Sequence, residues 1–329
     1  MNTADRSFAL VVATAAAPYG LLFLAGCGFA RFLADRIAAD GLDALGRGLL
    51  LPATAMLVLL VLGTVAGAAS VVRQVSATRR LGEHVDRNRV TTTPPSDTPA
   101  GVEVVEHDEA FAFTFGLGEP RVVISRGLVD RLSSDELAAV VAHERYHVSA
   151  RDPQKLLLAR AAARTCFFLP AVRHLMFRYL ASRELAADRQ SLRNVDRSAL
   201  AGALFKVVVG PRWDELDAAA AMADPELLAV RIDQLERGDE PRLPRLPVVS
   251  VAFSAVVLST LSGIVAAVAL QGGLSMTTSG STDPFSSIDV AAAVGLGLVC
   301  TSGWLWIAVV AFRRLALPGL TTRTRHLLH

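Results

Sequence analysis

Four long apolar runs constrain this chain before any other feature does: Phe8–Ala30, Leu49–Val72, Pro247–Leu270 and Ile288–Phe312. A helix needs about 20 consecutive apolar residues to cross the hydrocarbon core of a bilayer. Each run meets that length and keeps its Asp, Glu, Lys and Arg at the ends. With 52% hydrophobic residues and a mean hydropathy of +0.41, the chain reads as an integral membrane protein. The first run is too long for the apolar part of a cleaved signal sequence and does not follow the pattern of a basic segment leading into a short apolar one. It is expected to remain as a span.

Basic residues near the span ends set the expected orientation. Arg73, Arg79, Arg80, Arg87 and Arg89 follow the second run, Arg242 and Arg245 precede the third, and Arg313, Arg314, Arg323 and Arg325 follow the fourth. The loop Gln271–Ser287 has no basic residue. Segment 73–246 and the tail 313–329 are therefore expected in the cytoplasm. Arg31, Arg36 and Arg47 in the first loop oppose this, accompanied by Asp35, Asp40 and Asp43. A net charge of +2 gives no electrostatic case for direct nucleic-acid binding. Lysine occurs only at 155 and 206 against many arginines and alanines, a composition in keeping with a GC-rich bacterial genome. Cys27, Cys166 and Cys300 lie far apart in apolar surroundings and read as core residues, not as bridges or ligands.

The chemistry sits between the span pairs. His143-Glu144-Arg145-Tyr146-His147 reads HExxH, and Glu184-Leu185-Ala186-Ala187-Asp188 reads ExxxD. Imidazoles four residues apart lie one turn apart on one face of a helix and reach one Zn²⁺. Glu144 lies beside them, where a carboxylate can take a proton from a water at the metal. Glu184 offers a third ligand, and Asp188, one turn on, offers an acceptor for a ligand imidazole N–H. The bland alternatives are two solvated histidines on an amphipathic helix and a charged face in which Arg183, Glu184, Asp188 and Arg189 make surface ion pairs. The first is opposed by context: Ser133 and Glu136 are spaced as a capping box, and Leu137, Val140, Val141 and Val148 supply an apolar face, so the motif lies inside a helix.

The expected organisation is a linker over 73–100, basic and then rich in Thr and Pro, followed by a peptidase domain over 101–246. Short strands are expected at Val102–Glu106, Ala110–Phe115 and Arg121–Ser125. The motif helix runs from near Ser134 to Ala150, and Asp152-Pro153 opens the next helix as N-cap and first helical residue. Residues 154–180 carry too many basic groups to span lipid and read as two helices broken at Pro170. The second continues to about Arg193. Two further helices lie near Ser198–Val208 and Pro225–Arg237. His84, His107 and His174 lack ligand spacing and read as solvated or capping residues.

From about Gly118 to Leu192 these residues resemble the gluzincin-type integral membrane metallopeptidases, above all the BlaR/MecR-type sensor-transducer family. The shared pattern is Pro120–Ser125, Leu132–Glu136, His143–His147, Phe167-Phe168-Leu169-Pro170 and Arg183–Asp188. HtpX-type membrane peptidases share this core and carry a downstream segment like Arg231-Ile232-Asp233-Gln234-Leu235. The resemblance implies zinc on His143, His147 and Glu184, with Glu144 as the base. It also implies that Val122, Val123, Ile124 and Ser125 form an edge strand onto which a substrate peptide adds. Unlike in the sensor-transducers, only the short basic tail 313–329 and no large extracellular sensor domain is expected after the fourth span.

The expected fold is thus an α+β membrane protein: four transmembrane helices (8–30, 49–72, 247–270, 288–312) plus a mostly helical zincin-like domain with a small β-sheet. The expected function is zinc-dependent endoproteolysis at the cytoplasmic face of a bacterial plasma membrane. Its protein substrate would be a transcriptional repressor in a regulatory circuit or a membrane protein. The alternatives are an HtpX-type quality-control peptidase and a non-catalytic membrane scaffold. The oxyanion donor is not identifiable from sequence; Arg189 and His174 are the candidates.

Overall fold

A computed structural model describes residues 3–40, 50–89, 101–208, 225–239 and 241–278. The fourth expected span, the tail 313–329, Cys300 and residues 90–100 of the expected linker lie outside the described residues. The described elements are α1 (Thr3–Asp40), α2 (Leu50–Asn88), β1 (Val102–Val105), β2 (Ala112–Phe115), β3 (Arg121–Ser125), α3 (Arg126–Arg131), α4 (Ser134–Ser149), α5 (Asp152–Thr165), α6 (Pro170–Ser191), α7 (Arg197–Val208), α8 (Pro225–Arg237) and α9 (Val248–Thr278). The chain is mostly helical with one small mixed sheet. Helices cover Phe8–Ala30 and, from Leu50 and from Val248 on, the second and third expected apolar runs. One described stretch, Thr54–Asn88, is long and apolar enough to cross a membrane, and Val248–Gly263 is a shorter apolar helix.

The chain divides into two compact units. One comprises Met1–Val12, Ala68–Ala161 and Met176–Pro244; the other comprises Ala13–Gly67, Ala162–Leu175 and the chain from Arg245 on.

In the first unit the sheet has the order β1-β3-β2. β1 runs parallel to β3, with Val104 opposite Ile124, and β2 runs antiparallel to it, with Phe113 opposite Val123. Side chains alternate across the pleat. Val104, Ala112, Val122 and Ile124 face a core shared with Leu128 of α3, Leu137, Val140 and Val141 of α4, and Ala203 of α7. Val105, Phe113, Phe115 and Val123 face Leu81 and Val85 on the last turns of α2. The sheet is therefore covered on both faces.

Two expectations change here. Arg73–Asn88 is not linker but the continuation of α2. Leu81 and Val85, four residues apart, give it an apolar stripe that roofs the sheet. Val122–Ser125 is not an edge strand, because β3 is central and paired on both sides. Its apolar run, with Val123 and Ile124 fully buried, is the pattern of a strand covered on both faces; half-exposed strands alternate instead. A peptide cannot add to it.

Helix α4 starts at a capping box. Ser133 Oγ accepts from the Glu136 backbone N–H at 3.3 Å, and Glu136 Oε2 accepts from the Ser133 N–H at 2.8 Å. α7 crosses this end closely: a Cβ on Gly202 would stand 2.5 Å from Glu136 Oε1. Packing in the first turn of α3 is tighter still, where a Cβ on Gly127 would fall 1.9 Å from the Asp108 carbonyl oxygen.

The second unit is held by apolar clusters. Ala15, Cys166, Leu169, Val172 and Leu258 form one, and Met56, Leu60 and Leu261 form another. Tyr19 Oη and Thr64 Oγ1 share a hydrogen bond of 2.5 Å, and the Ala171 N–H donates to Ser254 Oγ at 3.1 Å. Cys166 is buried and free, as its apolar context implied.

Candidate metal centre

Helix α4 places His143, Glu144 and His147 on its buried side. Their spacing puts the two imidazoles one turn apart, with the Nε2 atoms 3.1 Å from each other. The third group arrives on α6. Around the site this helix is built from small buried residues, with Ala181, Ser182, Ala186, Ala187 and Ser191 flanking Leu185. That composition lets neighbouring helices approach on several sides and carries Glu184 and Asp188, four residues apart, into the interior. Glu184 Oε2 lies 3.2 Å from His143 Nε2, and Oε1 lies 3.7 Å from His147 Nε2. One donor atom from each of His143, His147 and Glu184 falls within 4.8 Å of the others, and all three residues are buried.

The far side of each imidazole meets a carboxylate. His143 Nδ1 lies 2.8 Å from Asp188 Oδ1, an ion-pair approach that departs from hydrogen-bond geometry. His147 Nδ1 and Asp152 Oδ2 share a hydrogen bond of 2.6 Å. Both Nδ1 atoms are thus engaged by carboxylates and both Nε2 atoms point to the common centre, the orientation in which histidines serve as metal ligands. Two arginines brace the carboxylates. Arg231 on α8 donates to Asp188 through Nε and an Nη, at 2.8 and 2.7 Å, and its other Nη stands 3.6 Å from Glu184 Oε2. Arg183 donates to Glu184 Oε1 at 2.8 Å and stands 3.8 Å from Asp152 Oδ2. Thr114 on β2 donates its hydroxyl to Glu144 Oε2 at 2.8 Å and lies 2.9 Å from the Glu144 carbonyl oxygen.

The charges of this cluster test whether a metal fits. Glu144, Asp152, Glu184 and Asp188 are all buried. Four carboxylates against two guanidiniums leave two negative charges in a low-dielectric interior, and uncompensated buried charge is costly. A divalent cation on neutral imidazoles closes that balance. His143 registers the excess: burial works to lower its pKa, but Asp188 and Glu184 outweigh burial and raise it to about 9. Burial works to raise the Glu184 pKa, but Arg183, His147, His143 and Arg231 hold it well below the usual carboxylate range. Asp188 is likewise lowered against burial, by Arg231 and His143.

The cluster opens on a cavity of about 130 Å³. Gln74, Ala77, Thr78 and Leu81 of α2 form one wall; Phe113, Thr114, Phe115, Gly116 and Leu117 form a second; Pro153, Leu156, Leu157 and Arg160 of α5 form a third. His143, Glu144, His147 and Glu184 lie at its base with Asp152 and Arg183. Neither oxyanion candidate borders it: His174 pairs with Ser250 Oγ at 3.1 Å and Arg189 is exposed.

Sequence reasoning passed over four residues around this centre. Asp152 looked like a helix cap. Arg183 looked like half of a surface ion pair. Arg231 was noticed only as part of a segment, although its place in the buried stripe Leu227, Arg231, Gln234 and Leu235 marks a cation held inside. Thr114 sat between Phe113 and Phe115 as the polar step of an alternating strand. Val122, Val123, Ile124 and Ser125 are near in sequence but do not line the cavity.

A helix-borne histidine pair, a carboxylate from a later helix and a glutamate beside them make this a centre of metallopeptidase type. The chain belongs to the BlaR1 peptidase M56 family, which it matches over residues 47–235. No curated protein and no solved structure matches it. Family and fold together make it a membrane-associated metallopeptidase with protein substrates.

Proposed function

We propose that the chain is a multi-pass bacterial membrane endopeptidase that uses zinc at His143, His147 and Glu184 and acts at the cytoplasmic face in regulatory proteolysis. The observation that carries this reading is the convergence of two Nε2 atoms and one carboxylate, each Nδ1 facing its own aspartate. Three protein ligands leave a coordination position open, the arrangement of catalytic and not structural zinc. The four-span topology and the cytoplasmic location rest on the apolar runs and on the distribution of arginine.

Zinc bound there would act as a Lewis acid, making a water acidic near neutral pH and polarising the scissile carbonyl. Glu144 accepts the proton of the attacking water and returns it to the leaving amine. The Thr114 hydroxyl, bonded to Glu144 Oε2, fixes the rotamer in which this carboxylate works. Asp152, hydrogen-bonded to His147 Nδ1, holds that imidazole's tautomer, Asp188 faces His143 Nδ1 as a charge partner, and the two arginines hold those aspartates and Glu184 in place.

The substrate strand is assigned to the outer edge of β2 in place of β3. Ser125 N–H donates to the Phe111 carbonyl, so with the observed register the backbone groups of Phe113 turn toward β3 and those of Ala112 and Thr114 turn outward. Thr114 thereby joins an outward-facing backbone to a side chain on the base. An extended peptide paired there would pass over Glu144. A second reading, membrane-protein quality control of the HtpX type, draws support from the buried Arg231 in the downstream segment shared with those peptidases.

The reading is tested by comparing the proteomes of cells carrying wild-type and Glu144→Gln protein. The variant should bind zinc normally and accumulate an uncleaved substrate. Identical proteomes and equal turnover on an added protein would contradict it.

A further inference from the structure

The first turns of α1 pack on the two helices that support the metal centre from outside the motif helix. Ala4, Ser7, Phe8 and Val11 recur at helical spacing on one face, and Ala4 and Val11 are buried. This stripe meets α6: the Ser7 and Ser182 hydroxyls share a hydrogen bond of 3.1 Å, and the centroids of the Phe8 and Tyr179 rings stand 5.6 Å apart. Beside it, Lys155 Nζ of α5 donates to Asp5 Oδ1 at 2.6 Å. All of these residues lie in the first compact unit, together with the metal centre.

Both helices are gripped one turn from a residue that braces the ligands. Lys155 lies three residues after Asp152 on α5, and Tyr179 lies four before Arg183 on α6, so each pair shares a helix face. Asp152 holds His147 Nδ1, and Arg183 holds Glu184 Oε1. Tyr179 connects the two anchor points. It is buried, and burial first, then Asp152 and Asp5 against an opposing Arg183, push its phenol above its ordinary value. A carboxylate of the centre and a carboxylate of α1 thus act on the same buried ring. Metal ligands and their supports must be held within about 0.5 Å of working geometry, so what fixes α5 and α6 fixes the centre. The Asp5–Lys155 pair keeps 34% of one side chain and 25% of the other exposed, so it can open without unfolding either helix.

We propose that residues 3–12 are a positioning element of the metal centre, and that the chain holds zinc at full affinity only while this segment is docked on α5 and α6. This rests on the zinc reading above and adds to it a condition for metal loading.

The test measures zinc affinity of the full-length protein in detergent by competition with a chelator, and reads packing separately from thermal melts of the metal-free protein. Asp5→Lys sets two ammonium groups against each other at a partly exposed position. Zinc affinity should fall about tenfold, as when a ligand histidine loses an outer support. Exchanging the charges, Asp5→Lys together with Lys155→Asp, should restore affinity to within about threefold of wild type, because the pair and not either residue alone is responsible. Phe8→Ala, which removes the ring set on Tyr179, should weaken zinc binding by a similar factor. Unchanged affinity in Asp5→Lys, or an equal loss in the charge-exchanged protein, overturns the proposal and leaves the zinc reading intact. A lower melting temperature with unchanged affinity also overturns it, since that is the mark of packing alone. Wild-type protein that holds no zinc overturns the zinc reading and this proposal with it.

Discussion

The carboxylate of Asp152 lies 2.6 Å from Nδ1 of His147, on the first turn of the helix that follows the motif helix. The chain reverses sharply to bring them together, through Arg151 with φ 53°. Asp152 is thereby tied through His147 to the candidate metal centre formed by His143, His147 and Glu184. Asp152→Ala should keep the fold and lower zinc affinity by about ten- to a hundredfold, the usual cost of losing an outer partner of a ligand histidine. A competition titration against a chelator reads this directly. Asp152→Asn, whose carbonyl can still accept from Nδ1–H, should lose less. Unchanged affinity in the alanine variant would show that the contact is incidental.

Arg231 carries a different kind of burden. It is buried and bidentate on Asp188, so Arg231→Met leaves a buried carboxylate without its cation. Breaking such a pair costs about 3–5 kcal/mol. The expected outcome is a clear fall in thermal stability, largest in chelator and partly recovered with zinc. Arg231→Lys should not restore it, since an ammonium cannot reproduce the planar fork. Equal stability of wild type and Arg231→Met in chelator would contradict the charge balance drawn for the site.

The start of the motif helix gives a pH dependence. Glu136 is held below its ordinary value by Lys206, whose Nζ lies 2.6 Å away, and by the cap at Ser133. A carboxyl group whose folded pKa is depressed stabilises the fold fully above its unfolded value, near 4.5 here, and loses that contribution as pH falls through the lower folded value. Glu136→Gln should flatten this part of the acid stability profile. Ser133→Ala should cost about 1 kcal/mol at neutral pH. Thermal melts from pH 3 to 7 in detergent check both, and an acid profile unchanged by Glu136→Gln would remove the cap from the account.

Strand position separates two further substitutions. Val123 is fully buried at the centre of the sheet, so Val123→Pro removes a ladder bond and should abolish folding and zinc retention together. Thr114→Val keeps the shape of the side chain but loses the hydroxyl on Glu144. It should lower kcat about tenfold or more while zinc content stays normal. A folded, active Val123→Pro protein would show that the sheet order is not the one described.

The helices and strands were largely legible because their signals are local. The capping box at Ser133, the two strands flanking Gly116, and Pro170 at the start of α6 each declare themselves within a few residues. The histidine pair of the candidate metal cluster was legible for the same reason, since four-residue spacing on a helix is a local statement. What escaped depended on partners distant in sequence. β3 looks like an edge strand until β1 and β2 are both seen to pair with it. Arg73–Asn88 looks like linker until the sheet it covers is present. Arg231 is an ordinary helix arginine until Asp188, on another helix, comes within 2.7 Å.

The central claim is that His143, His147 and Glu184 bind one zinc ion, and zinc K-edge absorption spectroscopy of the purified full-length protein tests it most directly. The account predicts a first shell with two imidazole nitrogens at about 2.0–2.1 Å, one carboxylate oxygen and one exchangeable oxygen, with one imidazole lost in His147→Ala. A shell containing sulfur, or one with fewer than two imidazoles in the wild type, would contradict it.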